Sequence, residues 1–295
     1  MEFNYDLVSA HHLRVIQHST VEFWVVGVGG TGSWLCASVV RLARTLTNNG
    51  KTVRVYFVDP DVVEAANVWR QCFCDKEIGL SKAKTLALRY SLAWGIEITA
   101  IAERFQPNWV THTYHTLSII IGCVDNATAR QSLASVLKFN DRLNRAPSIW
   151  YLDCGNSKTS GQVLLGSNLD LDIKKYAFSE LGPLRLPSPT IQHPELLVPL
   201  AEELENNNLS CEQLAALNAQ SLDVNQRVAA EATNYLIGLT TGTLKRFATY
   251  FDTNAGSARS LYITEAAVSN IVLSAQQLSK NTPQPPITTA TAKST

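Results

Sequence analysis

The stretch VVGVGGTGSW, residues 25–34, decides the fold of this 295-residue chain. It ends an apolar, β-rich run over 22–28 and leads into helical spacing of apolar residues from Ser33 to Leu46. The turn between them contains four glycines: Gly27, Gly29, Gly30 and Gly32. A strand, a glycine turn and a helix in this order are typical of a phosphate-binding loop, because the first N–H groups of a helix attract an anion.

Three of these glycines have separate predicted roles in such a loop. Gly27 allows the tight turn, Gly29 allows the backbone to approach a phosphate closely, and Gly32 allows the helix to pack against the strand. The pattern is compatible with a nicotinamide dinucleotide and with ATP, and it also occurs in turns without a ligand.

Composition indicates a globular protein with a sizeable core, since 45% of the residues are hydrophobic. Twenty-five basic and twenty-five acidic residues give no net charge, which argues against a nucleic-acid or anionic-membrane surface. No apolar run approaches the ~20 residues of a membrane helix. The N-terminal residues lack the pattern of a secretory signal, and the six cysteines are scattered, so we expect a soluble, cytoplasmic protein with reduced thiols.

Apolar strands alternate with helical patterns along the first half of the chain. Strands are predicted at 22–28, 52–59, 96–103, 117–125 and 148–154, and helices at 33–46, 82–94 and 127–139. This alternation predicts an α/β fold, a doubly wound, Rossmann-like and mostly parallel sheet that binds its ligand beyond the carboxyl ends of the strands.

The second half changes in character after GQVLLG at 161–166. A proline-punctuated stretch without a sustained period predicts a long crossover or lid. A helix from Cys211 to Leu239 and β-like pieces at 244–251 and 260–264 predict a C-terminal antiparallel extension of the sheet. The last residues are polar and rich in proline and threonine, which is typical of disorder.

Asp59 stands at the end of the second predicted strand, where an acid can accept hydrogen bonds from ribose hydroxyls. The sequence DPD at 59–61 is also ordinary turn chemistry.

Four further residues favour phosphoryl chemistry over hydride transfer. Asn67, Arg70 and Lys82 follow the loop, and basic side chains there neutralise the charge of a triphosphate. Asp125 ends the fourth predicted strand and can hold Mg²⁺, which prefers one or two carboxylates together with phosphate oxygens. The alternatives are solvated surface charges for the two basic residues and a helix cap for Asn67.

These segments, taken together, resemble the E1-type activating family (ThiF, MoeB and HesA type), which includes the enzymes that activate sulfur-carrier proteins and ubiquitin. The matching segments are GVGGTGS (27–33), VDPDVVEAANVWRQCF (58–73), IGLSKAKT (78–85) and GCVDNATARQSL (122–133). The resemblance covers residues 22–166. A narrower resemblance, to the ThiF family of the PRTRC cassettes, is carried by LDCGNSKTSGQVLLG (152–166) and LSCEQLAALNAQSLDVNQ (209–226).

The resemblance implies an adenylyltransferase. The C-terminal carboxylate of a small ubiquitin-like or sulfur-carrier-like protein would attack the α-phosphate of MgATP, and pyrophosphate would leave. By the same resemblance the glycines, including Gly30 of the double-glycine loop, and Asp59 hold the nucleotide. Asn67, Arg70 and Lys82 steady the phosphates, and Asp125 binds Mg²⁺. The implied partner has a flexible C-terminal tail that threads under the 167–210 crossover, and the implied assembly is a homodimer.

The chain departs from the family at three places. The two CxxC pairs of many relatives are missing, so no zinc site is expected. The only N-terminal arginine, Arg14, lies closer to the loop than in the family, where such an arginine reaches the neighbouring subunit's ATP. Cys211 stands where some relatives carry a cysteine that joins covalently to the carrier; it is either an activated thiol at a helix start or an unreactive small residue. Four histidines are predicted to be surface or turn residues: His11, His12, His112 and His115.

The resemblance and the residues together predict five segments. These are a leader (1–21), a Rossmann-like ATP-binding core (22–166), a crossover or lid (167–210), a C-terminal helix with strands (211–279) and a disordered tail (280–295).

Three other functions stay open from the sequence. They are activation of a carboxylate on a modified tRNA base, NAD-dependent oxidation or reduction, and a nucleotide-bound scaffold without turnover. Neutral charge argues against the first, and Arg70 with Lys82 against the second.

Overall fold

The computed structural model of the chain describes residues 5–111, 113–141, 146–199 and 222–281. An eight-stranded mixed sheet forms the centre, with the strand order β10-β9-β6-β5-β4-β1-β2-β3, and β7 pairs with β8 in a separate ribbon. The strands are β1 Thr20–Val26, β2 Thr52–Val58, β3 Ile98–Ile101, β4 Thr116–Gly122, β5 Ile149–Asn156, β6 Ser160–Gly166, β7 Phe178–Ser179, β8 Gly182–Pro183, β9 Arg246–Asp252 and β10 Ser257–Tyr262.

The α-helices of the described residues connect and cover these strands. They are α1 Tyr5–Ser9, α2 Gly30–Asn48, α3 Lys82–Trp94, α4 Ala127–Ser135, α5 Lys138–Asp141, α6 Pro189–Gln192, α7 Leu222–Thr241 and α8 Glu265–Asn281. Local chemistry marks several ends: the Ser81 hydroxyl accepts the N–H of Lys84 at the start of α3, and Gly95 ends that helix in the left-handed region at φ +61°. Among these helices none is long and apolar enough to cross a membrane.

The sheet is parallel from β3 to β5 and antiparallel from β5 to β10. β1 pairs in parallel with both β2 and β4, and β4 pairs in parallel with β5. β6 then pairs antiparallel with β5 and β9, and β10 continues that pattern. The predicted fold class, a doubly wound and mostly parallel sheet with an antiparallel extension, is therefore confirmed.

Strand alternation builds a separate apolar core on each face of the sheet. In β5, Trp150 and Leu152 join the larger core, which contains apolar side chains of α2, α3 and α7, whereas Ile149 and Tyr151 join the smaller one with residues of α4. Successive side chains of a strand point to opposite faces, so an almost continuous apolar strand supplies both cores.

The observed elements differ from the prediction at three places. The predicted helix over 127–139 ends at Ser135, and a separate short helix begins at Lys138. The predicted helix from Cys211 is described only from Leu222, where it runs to Thr241; residues 211–221 lie outside the described part. The sequence analysis missed α8, which follows the last strand and includes the first two residues of the predicted tail.

Candidate functional site

The glycine turn is packed so tightly that any other residue at two of its glycines would clash with the backbone. Gly27 has a φ of +83°, and a Cβ added there would lie 2.6 Å from the carbonyl oxygen of Cys123. A Cβ on Gly32 would lie 1.9 Å from the carbonyl oxygen of Gly27. At Gly29 the added atom would meet only the Gln71 side chain, at 3.6 Å, so packing within the protein does not require glycine there.

The glycine turn also forms the N-terminus of α2. Gly29 is the N-cap residue and has no side chain with which to cap the first N–H groups of the helix. Those groups have no partner within the helix, and they carry the positive end of its dipole. This end of α2 can therefore bind an anion such as a phosphate.

Asp59 fastens the glycine turn to the end of β2. It is only 4% exposed, and its two carboxylate oxygens accept the N–H groups of Val28 at 2.7 Å and of Asp61 at 2.9 Å. Burial raises the pKa of Asp59, although these backbone hydrogen bonds and the charge of Lys82 act in the opposite direction. The carboxylate thus has a structural task in this turn; its predicted contact with ribose stays a prediction.

Lys82 lies beside Asp59 but pairs with a neighbouring acid. Its ammonium is 3.2 Å from the carboxylate of Asp61, and its own side chain is buried while that of Asp61 is exposed. The backbone N–H of Lys82 also donates to the carbonyl oxygen of Asp61. From the sequence, Asp61 was expected only as a turn residue. In the structure it is the ion-pair partner of Lys82, a predicted phosphate-binding residue.

The segment 67–73 packs against the first turns of α2. The Trp34 indole N–H donates to the carbonyl oxygen of Arg70 at 3.2 Å, and the N–H of Cys72 donates to the Ser33 hydroxyl at 2.9 Å. Asn67 is buried, and its side-chain oxygen accepts the N–H of Glu64 at 3.0 Å. Asn67 is the third residue of a short 3-10 turn that begins after Glu64, and this bond belongs to its capping box. The predicted contact of Asn67 with the phosphates stays a prediction.

Arg70 and Asp125 lie in different loops, and the charge of Asp125 acts on the Arg70 guanidinium. Burial lowers the pKa of the Arg70 guanidinium, and the nearby carboxylates of Asp125 and Glu64 act in the opposite direction. Asp125 itself is exposed, and one of its oxygens accepts the Asn126 amide at 3.3 Å. A cation and an accessible carboxylate thus stand beside the glycine turn.

Gln71 is a site residue that the sequence analysis missed. Its side chain is buried and points toward the Cβ position of Gly29, and in the described part of the chain its carboxamide oxygen has no hydrogen-bond partner. A buried acceptor without a partner is unusual away from functional sites. The available signal was its position directly after Arg70 in NVWRQCF.

A second polar cluster lies in β5, at the last residue that pairs with β4. The Asp153 carboxylate is fully buried, and its Oδ1 accepts the Tyr151 hydroxyl at 2.6 Å and the Arg130 Nε–H at 3.3 Å. Its Oδ2 has no hydrogen-bond partner within the described ranges. Burial raises the pKa of Asp153, and the charge of Arg130 is the largest opposing influence. Asp153 and Arg130 both lie within motifs named from the sequence, but neither was predicted to have a role.

Three predicted features lie apart from this edge or outside the described residues. Cys211 and His112 belong to the undescribed part of the chain. The Arg14 guanidinium donates to the Ser179 hydroxyl at 3.2 Å, in the β7–β8 ribbon. In the described ranges no group of three or more His, Cys, Asp or Glu side chains could hold a metal ion.

The fold and this edge define a doubly wound α/β protein with a glycine turn at the carboxyl ends of its parallel strands. The ThiF family model matches residues 4–164, more than half of the chain. The chain therefore belongs to the ThiF family. The resemblance found in the sequence is confirmed at this level, and its narrower form, to the PRTRC proteins, stays a prediction.

Solved structures with the same fold include Escherichia coli MccB. The structure described as MccB with ATP is 16% identical, with a TM-score of 0.51, and that with AMPCPP and MccA is 16% identical, with a TM-score of 0.50. PaaA is 19% identical, with a TM-score of 0.49. Each match covers 84% of this chain and 64% of the other chain, so this chain spans less than two thirds of these proteins. No curated protein sequence matches it.

Proposed function

We propose that this protein is an E1-like adenylyltransferase that activates the C-terminal carboxylate of a small ubiquitin-like or sulfur-carrier-like protein. That carboxylate attacks the α-phosphorus of ATP, the bond from this phosphorus to the bridging oxygen breaks, and pyrophosphate leaves. Membership of the ThiF family supports the reaction class. The MccB structures solved with ATP and with MccA support a site for a nucleotide beside a second molecule.

The proposal depends on one observation. The glycine turn, the cations of Arg70 and Lys82 and the carboxylates of Asp59 and Asp125 are all carried by the loops at one edge of the sheet. The N–H of Gly27 donates to the carbonyl oxygen of Val58 at 2.9 Å, and that of Cys123 to Val26 at 2.8 Å. Three neighbouring strands are therefore joined where they end. Their loops bring the α2 N-terminus, Asp59 and Asp125 to the same edge.

Each group has a physical task at this edge. The first N–H groups of α2 and the cations of Arg70 and Lys82 bind the phosphates and stabilise the charge that builds on departing pyrophosphate. Asn67 steadies the loop that carries Arg70. Asp125, exposed and with only an amide on one oxygen, fits a magnesium ion bound together with ATP. Mg²⁺ supplies charge neutralisation of the phosphates when bound.

The proposed partner enters from the side of the crossover. Its flexible C-terminal tail passes under residues 167–210 and delivers the carboxylate to the α-phosphate. We infer a short protein encoded close by, as the PRTRC resemblance suggests, and a homodimeric enzyme. Cys211 is the candidate for a later covalent link to the partner, and Arg14 for a contact with the neighbouring subunit's nucleotide.

Exchange of labelled pyrophosphate into ATP tests the reaction. The small proteins encoded beside the gene are each produced with their native C-terminus and added to the enzyme with MgATP. We expect exchange only with the correct partner, and we expect Asp125→Ala to reduce it at least ~100-fold, the loss typical of removing one group that stabilises transition-state charge.

The matched control is Glu97→Gln, an exposed carboxylate just before β3, at the opposite edge of the parallel strands. It should exchange at the wild-type rate. Full activity in Asp125→Ala would remove this residue from the site. ATP binding without exchange with any partner would favour a scaffold, and tighter binding of NAD than of ATP would favour an oxidoreductase.

A further inference from the structure

A buried asparagine of α7 is bound to the first turn of α2. Asn225 is 0% exposed, and its side-chain oxygen accepts the Thr31 hydroxyl at 3.2 Å. The same oxygen accepts the amide of Asn156, which also donates to the Thr31 hydroxyl at 2.9 Å. One small polar network therefore joins three elements that are far apart in the sequence.

The network lies directly behind the glycine turn. Thr31 is the second residue of α2 and is only 3% exposed, between two glycines of the turn. Asn156 is the last residue of β5, and Asn225 is the fourth residue of α7. The first turn of α2 thus has a second set of contacts besides those of the segment 67–73, which contacts Ser33 and Trp34.

Packing alone does not explain an amide at this position. The Asn225 Nδ2 atom is buried and has no hydrogen-bond partner among the residues that the structure describes. A buried donor without a partner lowers stability, and an apolar side chain of similar size would avoid this penalty. The adjacent Val224 and the next residue along this face of the helix, Val228, are fully buried and apolar. The amide therefore carries a thermodynamic cost at this position, and its oxygen accepts hydrogen bonds from Thr31 and Asn156.

We propose that Asn225 is a positioning residue of the nucleotide site, which acts on ATP through Thr31. By accepting the Thr31 hydroxyl, it sets the orientation of the first turn of α2 and hence of the N–H groups that receive the phosphates. This inference rests on the proposed function only for the identity of the ligand. The restraint on α2 itself is a property of the protein without nucleotide.

The first test is ATP affinity in a double-mutant cycle, measured by calorimetry. Asn225→Leu removes the acceptor, and Thr31→Val removes the donor hydroxyl while keeping the branched shape. We expect each variant to bind ATP about tenfold more weakly than the wild type, and the double variant to bind no more weakly than either single one. Losses that multiply, or singles that bind as the wild type does, would overturn the proposal.

The matched control is Asn234→Leu, which makes the same replacement on the exposed face of α7 and should leave ATP affinity unchanged. Thermal melts and near-UV circular dichroism verify that each variant is folded.

A second measurement uses the nucleotide-free protein and separates this inference from the proposed function. Amide hydrogen exchange over residues 30–36 should be at least about tenfold faster in Asn225→Leu than in the wild type, with other parts of the sheet unchanged. Unchanged exchange over 30–36 would overturn the inference even if ATP binds. A wild-type protein that binds no ATP would contradict the proposed function, and the exchange result would still decide whether Asn225 restrains α2.

Discussion

Two buried aspartates at the carboxyl ends of parallel strands are held in opposite ways. Asp59, after β2, is surrounded by backbone: each of its oxygens accepts one main-chain N–H. Asp153, in β5, is held by side chains: Tyr151 and Arg130 both donate to one oxygen, and the other has no hydrogen-bond partner in the part of the chain that the structure describes. Burial raises the pKa of both carboxyl groups.

The difference between the two aspartates shows which hydrogen-bond partners can be predicted from a sequence. Main-chain donors are present whatever the neighbouring side chains are, so a carboxylate held by them depends on the path of the turn alone. A carboxylate held by a distant side chain depends on one particular residue, here Arg130, which lies on α4. The second carboxylate is therefore the more vulnerable to a single substitution.

The largest loss of stability is expected from Arg130→Met. Removing one partner of a buried ion pair leaves the other charge uncompensated, which costs about 3–5 kcal/mol in the free energy of unfolding. Urea denaturation at neutral pH measures it, with Arg104→Met, at an exposed position, as the control. A loss below about 1 kcal/mol would mean that Asp153 does not depend on this arginine.

A smaller effect is expected from Asp59→Asn. The replacement keeps one acceptor oxygen and turns the other into a donor that faces a main-chain N–H, so we expect a loss of about 1.5–3 kcal/mol in the same denaturation experiment. The control is Asp75→Asn, the same replacement at an exposed position outside this turn, which should change stability little. If Asp59→Asn proved costlier than Arg130→Met, main-chain anchoring would be the more vulnerable of the two.

The smallest effect is expected in the pH dependence of Asp153→Asn. Because the folded-state pKa of Asp153 is raised from 3.8, its proton is bound more tightly in the folded protein than in the unfolded one. The stability that this carboxyl contributes is full below about pH 3.8 and is lost as pH rises through the folded-state value.

Thermal unfolding from pH 3.5 to 7 checks the sign. The advantage of the wild type over Asp153→Asn should shrink as pH rises, whereas Glu97→Gln should run parallel to the wild type. An advantage that grows with pH would mean that Arg130 keeps the carboxylate ionised and outweighs burial.

Much of the fold could be predicted because its signals are local. The glycine turn, the strand patterns and the Asp59 position all reflect constraints within a few residues, and the contacts of Gly27 and Gly32 agree with the roles expected for them. Helix α8 was not predicted, although it has an amphipathic pattern in which Val268 and Val272 lie about one turn apart and are both buried.

The site was predictable where its residues follow a motif. Lys82 and Arg70 were named from their spacing, whereas Asp61 and Gln71 became visible only through their contacts. Asn225 and Thr31 are 194 residues apart, and no local pattern connects a helix of the second half to the glycine turn.

The sequence by itself determined the α/β class, the place of the glycine turn and the motifs of polar and charged residues that follow this turn. Backbone conformation and strand periodicity are local properties, and they can therefore be recognised in a sequence. Tertiary structure alone decided which side chains hold those groups in place: Arg130 for Asp153, Asp61 for Lys82 and Asn225 for Thr31. The physical reason is that a buried polar group must find its partner in space, and that partner can come from any part of the chain.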